Sequence, residues 1–320
     1  MDNTVQIAVV MDPIATIKPA GDSTLAVLLQ AQAIGCQLHY AEPRDLWLRD
    51  GEAFGRLTPL RVMDDQESWF DLGDSTVRPL GDIDAILMRK DPPFDMEYIY
   101  TTYILERAEL RGSVVVNRPQ SLRDANEKVV ISWFSQCAPP MLVSSSLTDL
   151  RAFVDEHERA VIKPLDRMAG RSIFSTGSAD PNRNVILETL TDYGSRFVMA
   201  QKYIPEATVG DKRILMIDGD PISDALLRIP PADDFRGNLS SGATAKAVPL
   251  TDRDRWICEQ IGPRLSATGL LFVGIDIIGD FLTEVNVTSP TGIRELDRLC
   301  DRNIGRSVIE AILHRVANPP

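Results

Sequence analysis

The chain has 320 residues, of which 44% are hydrophobic, so it can bury a sizeable core and form two or three structural units. Its formal net charge of −12 argues against a nucleic-acid or anionic-membrane partner, although a local basic patch could still bind phosphate. Its four cysteines are scattered without paired spacing, which predicts reduced thiols in a cytoplasmic protein rather than a disulfide or zinc framework. The N-terminus has no basic leader and no apolar run reaches about 18 residues, so we expect neither a signal peptide nor a membrane span.

Predicted strands alternate with predicted helices in the first part of the chain, residues 1–122. The strands are Gln6–Met11, Gln37–Tyr40, Ala85–Met88 and Val114–Val116, and the helices are Ser23–Ile34 and Tyr98–Arg111, each followed by glycine. This alternation predicts an open, mostly parallel α/β domain. Ligands bind at the carboxyl ends of strands in such sheets, which is where Asp12 and Arg89 fall.

Two further units are predicted after this domain. Residues 123–203 are predicted to form a small α+β lobe, with helices at Leu122–Phe134 and Leu147–Glu156, strands at Leu142–Val143, Ala160–Lys163, Ser172–Ser175 and Phe197–Gln201, and a loop at Asp166–Arg171. Residues 204–320 combine two long helices with strands at Arg213–Ile217, Ser223–Arg228, Leu271–Ile278 and Phe281–Val287. We find neither an internal repeat nor a low-complexity linker in the sequence.

The segment Gly274–Asn286 is predicted to form two strands joined by a tight Gly-Asp turn. Three oxygen-bearing side chains, Asp276, Glu284 and Asn286, lie among residues that otherwise belong in a core. Burying carboxylates there is costly unless a cation or a hydrogen-bond donor compensates. Carboxylate and amide oxygens are ligands that Mg²⁺ prefers, usually with phosphates completing its shell. The strand pair therefore indicates a magnesium-nucleotide site.

The geometry of this hairpin makes the interpretation testable. A simple two-residue turn would place Asp276 opposite Thr283, with its side chain on the other face from Glu284. A shared metal site requires a bulge or an odd loop count, and Gly279 is the residue that would allow it. Without that irregularity the segment is a hairpin with exposed acids on one side.

Two lysines and one extended segment are candidates for binding a nucleotide. Lys163 ends an apolar strand and can reach a phosphate as a point charge, whereas Lys128 is a weaker candidate and is more often a solvated helix residue. The segment Met199–Pro205 runs from a strand into extended backbone that could pair with an adenine edge. It is also compatible with a plain linker between lobes.

Arginines and small residues are the remaining candidates. Arg213, Arg228 and Arg236 recur across neighbouring strands and a loop, and guanidinium groups bind carboxylates and phosphates bidentately. Near an acidic hairpin they suggest a site for a charged substrate and a developing oxyanion, although each alone is more often a surface residue. The glycine-containing loop Arg236–Gly242 and the helix start at Thr288–Pro290 could contact anions, or be an ordinary loop and an N-cap serine.

Taken together, these segments resemble the prokaryotic-type glutathione synthetases of the ATP-grasp superfamily. The matching segments are Val10–Ile14, Met88–Asp95, Tyr103–Ala108, Asn117–Asp124, Lys163–Asp166, Arg236–Leu239 and Phe272–Thr291. The similarity spans nearly the whole chain, and the Met-Arg-Lys-Asp-Pro-Pro and Glu-Val-Asn-Val-Thr-Ser-Pro blocks are specific to this family. The resemblance implies an ATP-grasp fold, α/β with α+β lobes, behind an N-terminal open, mostly parallel α/β domain.

The resemblance also implies a reaction and a set of site residues. ATP would phosphorylate the cysteinyl carboxylate of γ-glutamylcysteine, and glycine would attack the acyl phosphate to give glutathione, ADP and phosphate. The implied residues are Lys128 and Lys163 for the ATP phosphates; Gln201, Lys202, Tyr203 and Ile204 for adenine; Asp211 for the ribose; Asp276, Glu284 and Asn286 for Mg²⁺ or Mn²⁺; Arg213 and Arg228 for catalysis; and Arg89, Arg236, Asn238 and Ser289 for substrate. The chemistry suits these residues because phosphoryl transfer depends mostly on positioning and charge neutralisation.

The sequence departs from the family in the loop over the phosphates. Relatives usually carry Gly-Met-Gly-Gly after Lys-Pro-Leu-Asp, whereas this chain has Arg167, Met168, Ala169 and Gly170, followed by Arg171. Losing two glycines restricts close backbone approach, and we expect the arginines to supply phosphate contacts instead, with activity retained. A smaller departure is a lysine at position 202, where relatives often carry a neutral amide.

Two other functions compete with glutathione synthesis at this point. One is a related ATP-grasp ligase with a different peptide donor or amino-acid acceptor. The other is a nucleotide-binding regulatory protein with an impaired loop, which the complete set of three metal-binding side chains argues against. The resemblance further suggests a homotetramer.

Overall fold

The computed structural model describes residues 4–168, 170–231, 237 and 242–318 of the chain. Three β-sheets with flanking helices make up these residues: an eight-stranded sheet, a four-stranded sheet and a six-stranded sheet, in chain order. Across the described ranges, no helix combines the length and apolarity that crossing a membrane requires. The predicted mixture of α/β and α+β units is confirmed by this arrangement.

The N-terminal sheet contains the predicted parallel strands. Its strands are β1 (Gln6–Val10), β2 (Gln37–Ala41), β3 (Leu46–Arg49), β4 (Glu52–Val62), β5 (Phe70–Leu72), β6 (Thr76–Pro79), β7 (Ala85–Met88) and β8 (Val114–Val116), and its helices are α1 (Ser23–Ala33), α2 (Met96–Glu109) and α3 (Pro119–Asp124). Strands β2, β1, β7 and β8 are neighbours in that order and run parallel. Strands β1, β7 and β8 are short, mostly apolar runs, as expected where helices cover both faces of such a sheet.

Strands β3–β6 extend this sheet in an antiparallel manner that the sequence analysis did not anticipate. Strand β4 pairs with β3 and β6 through its first half and with β2 and β5 through its second half. Its buried residues alternate as Ala53, Gly55 and Leu57, then shift register to Leu60 and Val62. The shift at the intervening Thr-Pro pair interrupts the period of two on which strand prediction depends.

The four-stranded sheet forms the small lobe. Its strands are β9 (Met141–Ser144), β10 (Arg159–Pro164), β11 (Phe174–Gly177) and β12 (Val198–Lys202), in the spatial order β11-β10-β12-β9, and its helices are α4 (Leu147–His157) and α5 (Arg183–Thr191). Residues such as Leu150, Val154 and Ile162 give this lobe its own apolar core. The strand predicted at Ser172 begins two residues later, because Ser172 has a left-handed φ of 58° that extended strands do not adopt.

The predicted helix Leu122–Phe134 was wrong. Helix α3 ends at Asp124, and a separate 3₁₀ helix spans Val129–Phe134. Between them the Asn126 side chain accepts hydrogen bonds from the backbone N–H groups of Lys128 and Val129. Such a local side-chain bond competes with helical hydrogen bonding and here divides one helix into two short ones.

The six-stranded sheet completes the chain. Its strands are β13 (Asp211–Ile217), β14 (Asp220–Pro221), β15 (Asp224–Ile229), β16 (Thr244–Pro249), β17 (Phe272–Ile278) and β18 (Phe281–Asn286), and its helices are α6 (Asp252–Ala267), α7 (Ile293–Cys300) and α8 (Ile304–Ala317). The order β16-β15-β13-β17-β18 is antiparallel throughout, with β14 paired to β13. Helix α8 packs on α1, so the N-terminal and C-terminal parts share one apolar core.

Candidate active site

A cavity of about 350 Å³ is lined by residues of both the small lobe and the six-stranded sheet. Thirteen of the predicted site residues border it: Lys128, Lys163, Gln201, Lys202, Tyr203, Ile204, Asp211, Arg213, Arg228, Asp276, Glu284, Asn286 and Ser289. Arg89 does not border the cavity, and Arg236 and Asn238 lie outside the described residues. Side chains that lie up to about half of the chain length apart in the sequence thus line one cavity.

The β17–β18 hairpin carries the bulge that a shared metal site requires. Asp276 lies directly opposite Glu284, whereas the next pair is Ile277 with Leu282, so Thr283 is the extra residue. The hydroxyl of Thr283 donates to the Asp276 carbonyl oxygen over 3.1 Å and fixes the irregularity. The bulge therefore lies at Thr283 and not at Gly279, which forms the turn with a φ of 54°.

The bulge places the three predicted metal-binding side chains on one face. Asp276 and Glu284 are cross-strand partners, and Asn286 lies two residues beyond Glu284, opposite Gly274. The amide of Asn286 donates to the Gly274 carbonyl oxygen over 3.1 Å and to Asp276 Oδ2 over 3.3 Å. Without the bulge, Asp276 would point to the opposite face of the sheet.

Two arginines hold the carboxylate of Asp276. Arg213 binds it bidentately, with Nε 2.5 Å from Oδ1 and Nη2 2.9 Å from Oδ2, and Arg228 Nη2 lies 3.0 Å from Oδ2. Arg228 also pairs with Asp211, with Nε 2.8 Å from Oδ1. Burial alone would raise the pKa of Asp276, but the two guanidinium groups outweigh it and hold that pKa below its usual range. Asp276 is therefore an ionised carboxylate inside the protein.

Lys128 pairs with the second carboxylate of the hairpin. Its Nζ lies 3.1 Å from Glu284 Oε1 and donates to the Arg167 carbonyl oxygen over 2.6 Å. Burial would lower the pKa of Lys128, but Glu284 and Glu127 outweigh it and raise that pKa, so the ammonium keeps its charge. Lys128 is buried, which contradicts the alternative of a solvated helix face.

Lys163 and Gln201 lie together at the buried side of the cavity. Lys163 Nζ donates to Gln201 Oε1 over 2.8 Å, and burial lowers the pKa of Lys163. The Gln201 amide nitrogen is buried and has no hydrogen-bond partner within the described ranges. An unpartnered buried donor is costly, so a ligand acceptor at this position would be favoured.

The residues at and after the end of β12 border the cavity and leave one backbone N–H without a partner among the described residues. The N–H groups of Lys202 and Tyr203 donate to the carbonyl oxygens of Pro140 and Arg159 over 2.9 and 3.0 Å. The N–H of Ile204 has no partner in the part of the chain that the structure describes. Apolar side chains from several elements line the same cavity, namely Val161, Ile173, Ala207, Leu226 and Ile278. A flat aromatic base suits such a slot.

The donor set at the hairpin fits a magnesium ion accompanied by phosphates. Two carboxylates and one amide share a face, and Lys128 and Lys163 border the same cavity. Within the described ranges, no group of three or more His, Cys, Asp or Glu side chains could hold a metal alone. The set thus lacks a third acid and depends on oxygens that a ligand would bring.

Arg89 is placed differently from the sequence-based expectation. It is buried, with Nε donating to Thr24 Oγ1 over 3.0 Å and Nη2 donating to the Pro290 carbonyl oxygen over 2.9 Å. Its guanidinium carbon lies 5.5 Å from the centre of the Phe272 ring. Arg89 therefore holds the loop after β18 and does not face the cavity itself. Asp12 pairs with Lys90 over 2.8 Å and also does not border the cavity.

Sequence reasoning missed Glu127, which borders the cavity beside Lys128. Its Oε1 accepts hydrogen bonds from the backbone N–H groups of Val287 and Thr288 and from the Thr288 hydroxyl. The only signal in the sequence is its position in Asn-Glu-Lys, next to a candidate phosphate-binding lysine.

Family models match nearly the whole chain. Residues 5–123 match the prokaryotic glutathione synthetase N-terminal domain, and residues 127–301 match the prokaryotic glutathione synthetase ATP-grasp domain. Curated relatives agree with this. A glutathione synthetase from Pseudomonas aeruginosa is 54% identical over 314 residues, covering 98% of this chain and 99% of the relative. One from Coxiella burnetii is 53% identical over 304 residues, covering 95% of each.

Solved structures with much lower sequence identity share the fold. The D-cycloserine synthetase DcsG aligns with a TM-score of 0.68 at 13% identity, covering 97% of this chain and 99% of the other. The D-alanyl-alanine synthetase A of Vibrio cholerae aligns with a TM-score of 0.61 at 12% identity, covering 99% and 100%. These likenesses show the ATP-grasp fold. The family models and curated relatives identify one family within that fold. The chain belongs to the prokaryotic glutathione synthetase family.

Proposed function

We propose that this chain joins γ-glutamylcysteine to glycine with ATP, giving glutathione, ADP and phosphate. Family membership over nearly the full length makes it an ATP-dependent ligase. The observation that carries the proposal within the site is the bulge at Thr283, which puts Asp276 and Glu284 side by side at a cavity bordered by cationic side chains.

The proposed nucleotide position follows from the cavity walls. Adenine lies in the apolar slot, where Gln201 to Ile204 offer a buried amide and a free backbone N–H to its edge. Lys163 lies next to Gln201 and reaches the nucleotide from the same side. Asp211 also borders the cavity and is proposed to lie near the ribose, and Lys128 and Lys163 are proposed to bind the phosphates as point charges.

Asp276, Glu284 and Asn286 are proposed to hold Mg²⁺, or Mn²⁺, together with phosphate oxygens. When bound, such an ion neutralises phosphate charge and orients the reacting groups. The donors fit because their oxygens share one face of the hairpin and both acids are ionisable carboxylates at the cavity. The protein contributes rigidity, since hydrogen bonds from Thr283 and Asn286 fix the hairpin.

The proposed reaction has two steps. A peptide carboxylate oxygen attacks the γ-phosphorus, and the bond from that phosphorus to the ADP oxygen breaks. The glycine ammonium loses a proton to solvent, and the resulting amine attacks the carbonyl carbon to form a C–N bond. Phosphate then leaves with the electrons of the C–O bond, and the nitrogen loses its second proton to solvent. Arg213 and Arg228 border the cavity and are proposed to steady the negative oxygens of the acyl phosphate.

Substrate carboxylates are proposed to lie near Ser289, which borders the cavity. Arg89 contributes by holding the Pro290 carbonyl oxygen next to Ser289. Arg236 and Asn238, outside the described residues, remain proposed substrate contacts on the strength of the resemblance. We also retain as proposals the division at residues 122/123 and 203/204, a cytoplasmic location, a homotetramer and small-molecule partners only.

A coupled assay of ADP release tests the proposal. Purified protein is given ATP, Mg²⁺ and a panel of dipeptide donors and amino-acid acceptors. We expect ADP release to require both γ-glutamylcysteine and glycine. Release with a different donor or acceptor would select a related ATP-grasp ligase instead, and release with no combination would exclude ligation.

A further inference from the structure

The carboxylate of Glu127 links two parts of the site that belong to different stretches of the chain. Its Oε1 accepts three hydrogen bonds, from Val287 N at 2.8 Å, Thr288 N at 3.0 Å and Thr288 Oγ1 at 2.8 Å. Its backbone carbonyl oxygen accepts a fourth, from Val285 N at 2.9 Å. One residue therefore binds the end of β18 and the beginning of the loop that follows it.

The same residue is joined directly to the phosphate-binding side of the cavity. Lys128 is its neighbour in sequence, and Asn126 on its other side accepts from the Lys128 N–H and donates to the Leu165 carbonyl oxygen. Residues 126–128 are thus fixed by hydrogen bonds on both sides of Glu127. Glu127 therefore has little freedom to move with the residues that follow β18. Glu127 sets the distance between Lys128 and the residues after Asn286.

The far end of the loop is held from the N-terminal domain. Ser23 Oγ accepts from the N–H groups of Gly292 and Ile293 over 3.1 and 3.2 Å, and Arg89 binds the Pro290 carbonyl oxygen. The loop 288–292 is therefore held at both ends, with Ser289 and Thr291 bordering the cavity between them. Removing the Glu127 contacts would release its first end only.

We propose that Glu127 is a positioning residue that holds loop 288–292 in register with Lys128, so that the acceptor amine meets the activated carboxylate. This inference rests on the proposed function. Its physical reason is that a small misplacement of reacting groups lowers rate steeply, whereas the proposed adenine contacts, Gln201 to Ile204, lie on another element. Because Glu127 borders the cavity, water can replace its carboxylate in a variant. The fold should therefore tolerate the loss of the carboxylate, whereas loop 288–292 should no longer be held in place.

The test compares E127A, E127Q and wild type. For E127A we expect kcat/KM for glycine and for γ-glutamylcysteine to fall about 10- to 100-fold, with the Kd of a non-hydrolysable ATP analogue within about twofold. E127Q keeps an acceptor oxygen and is expected to recover most of that loss. E109A is the matched control, because Glu109 pairs with Arg118 and does not border the cavity. T288V removes one of the three hydrogen bonds to Glu127 Oε1 and is expected to give a smaller fall in kcat/KM. It serves as the test variant if E127A does not fold.

Three results would overturn the inference. The first is unchanged kcat/KM in folded E127A, or in T288V when E127A does not fold. The second is an equal loss of nucleotide affinity and kcat/KM, which would indicate a general scaffold role. The third is an E127Q as impaired as E127A, which would mean that the negative charge matters and not the acceptor geometry. A wild-type protein that releases no ADP with both substrates would instead refute the proposed function.

Discussion

Lys128 Nζ lies 3.1 Å from Glu284 Oε1, although 155 residues separate these two in the sequence. Asp276 is likewise paired, with Arg213 and Arg228. Both carboxylates proposed to bind metal are thus paired with cationic side chains of the protein. A divalent ion must compete with these cations, unless phosphates first draw Lys128 away from Glu284.

This pairing predicts that metal binding depends on nucleotide. Mn²⁺ titrated into the free protein should bind weakly, and at least about tenfold more tightly with a non-hydrolysable ATP analogue, since unlike charges at such distances interact strongly. In K128M the free protein should bind Mn²⁺ more tightly than free wild type, because Glu284 loses its competitor. Electron paramagnetic resonance of unbound Mn²⁺ measures the Mn²⁺ affinity in both comparisons. Equal Mn²⁺ affinity with and without nucleotide would refute the idea that phosphates draw Lys128 away from Glu284.

Removing the charge of Asp276 should destabilise the fold. D276N keeps the shape of the side chain but leaves the buried guanidinium groups of Arg213 and Arg228 without their shared partner. Breaking a buried ion pair in this way costs about 3–5 kcal/mol of unfolding free energy, measured by urea denaturation. E284Q is the matched control and should cost less, because Glu284 is more exposed than Asp276 and its partner Lys128 keeps a second acceptor, the Arg167 carbonyl oxygen. Equal losses would show that burial of the arginines is unimportant.

His39 should make stability sensitive to acid. It is buried, both ring nitrogens lack partners within the described ranges, and burial with help from Arg78 lowers its pKa from the ordinary 6.5. The folded state therefore keeps the ring neutral, and its contribution is present above pH 6.5 and lost as pH falls below it. H39L should flatten the fall in unfolding free energy between pH 7 and 5, measured by denaturation. Parallel pH profiles for the two proteins would contradict this.

The loop departure predicts a specific phosphate contact. Arg167 borders the cavity and its carbonyl oxygen accepts from Lys128, while Ala169 lies outside the described residues. The double variant R167G/A169G should raise the KM for ATP several-fold without a large gain in turnover, because a cation near the phosphates is lost. R196A is the matched control, since Arg196 pairs with Asp166 but does not border the cavity. A large gain in turnover would mean that the native loop is impaired.

Local pattern predicted the parts of the fold whose residues are uniform in character. Strands Gln6–Val10 and Ala85–Met88 are apolar runs buried on both faces, and glycine follows closely after the helices that precede β2 and β8. Strand β4 was not predicted, because its alternation of buried and exposed residues shifts at Pro59. The predicted helix through Asn126 failed because that side chain caps the backbone locally, a contact that helical periodicity does not reveal.

Thirteen of the predicted residues border the cavity, but the contacts between them were not predictable from the sequence. The sequence required an irregular hairpin for Asp276 and Glu284 to meet, and the structure has it, at Thr283. The Lys128–Glu284 pair and the turn of Arg89 away from the cavity depend on how distant elements pack. Such contacts have no signature in the residues adjacent to them along the chain.

The β17–β18 hairpin is proposed to hold a divalent ion against ATP. A crystal structure with Mn²⁺ and a non-hydrolysable ATP analogue, phased to show anomalous scattering from manganese, tests it most directly. We predict a manganese peak about 2.0–2.5 Å from oxygens of Asp276, Glu284 and Asn286, with phosphate oxygens in its shell and Lys128 moved onto phosphate. Nucleotide bound in the cavity with no manganese at the hairpin, and Lys128 still on Glu284, would contradict the account.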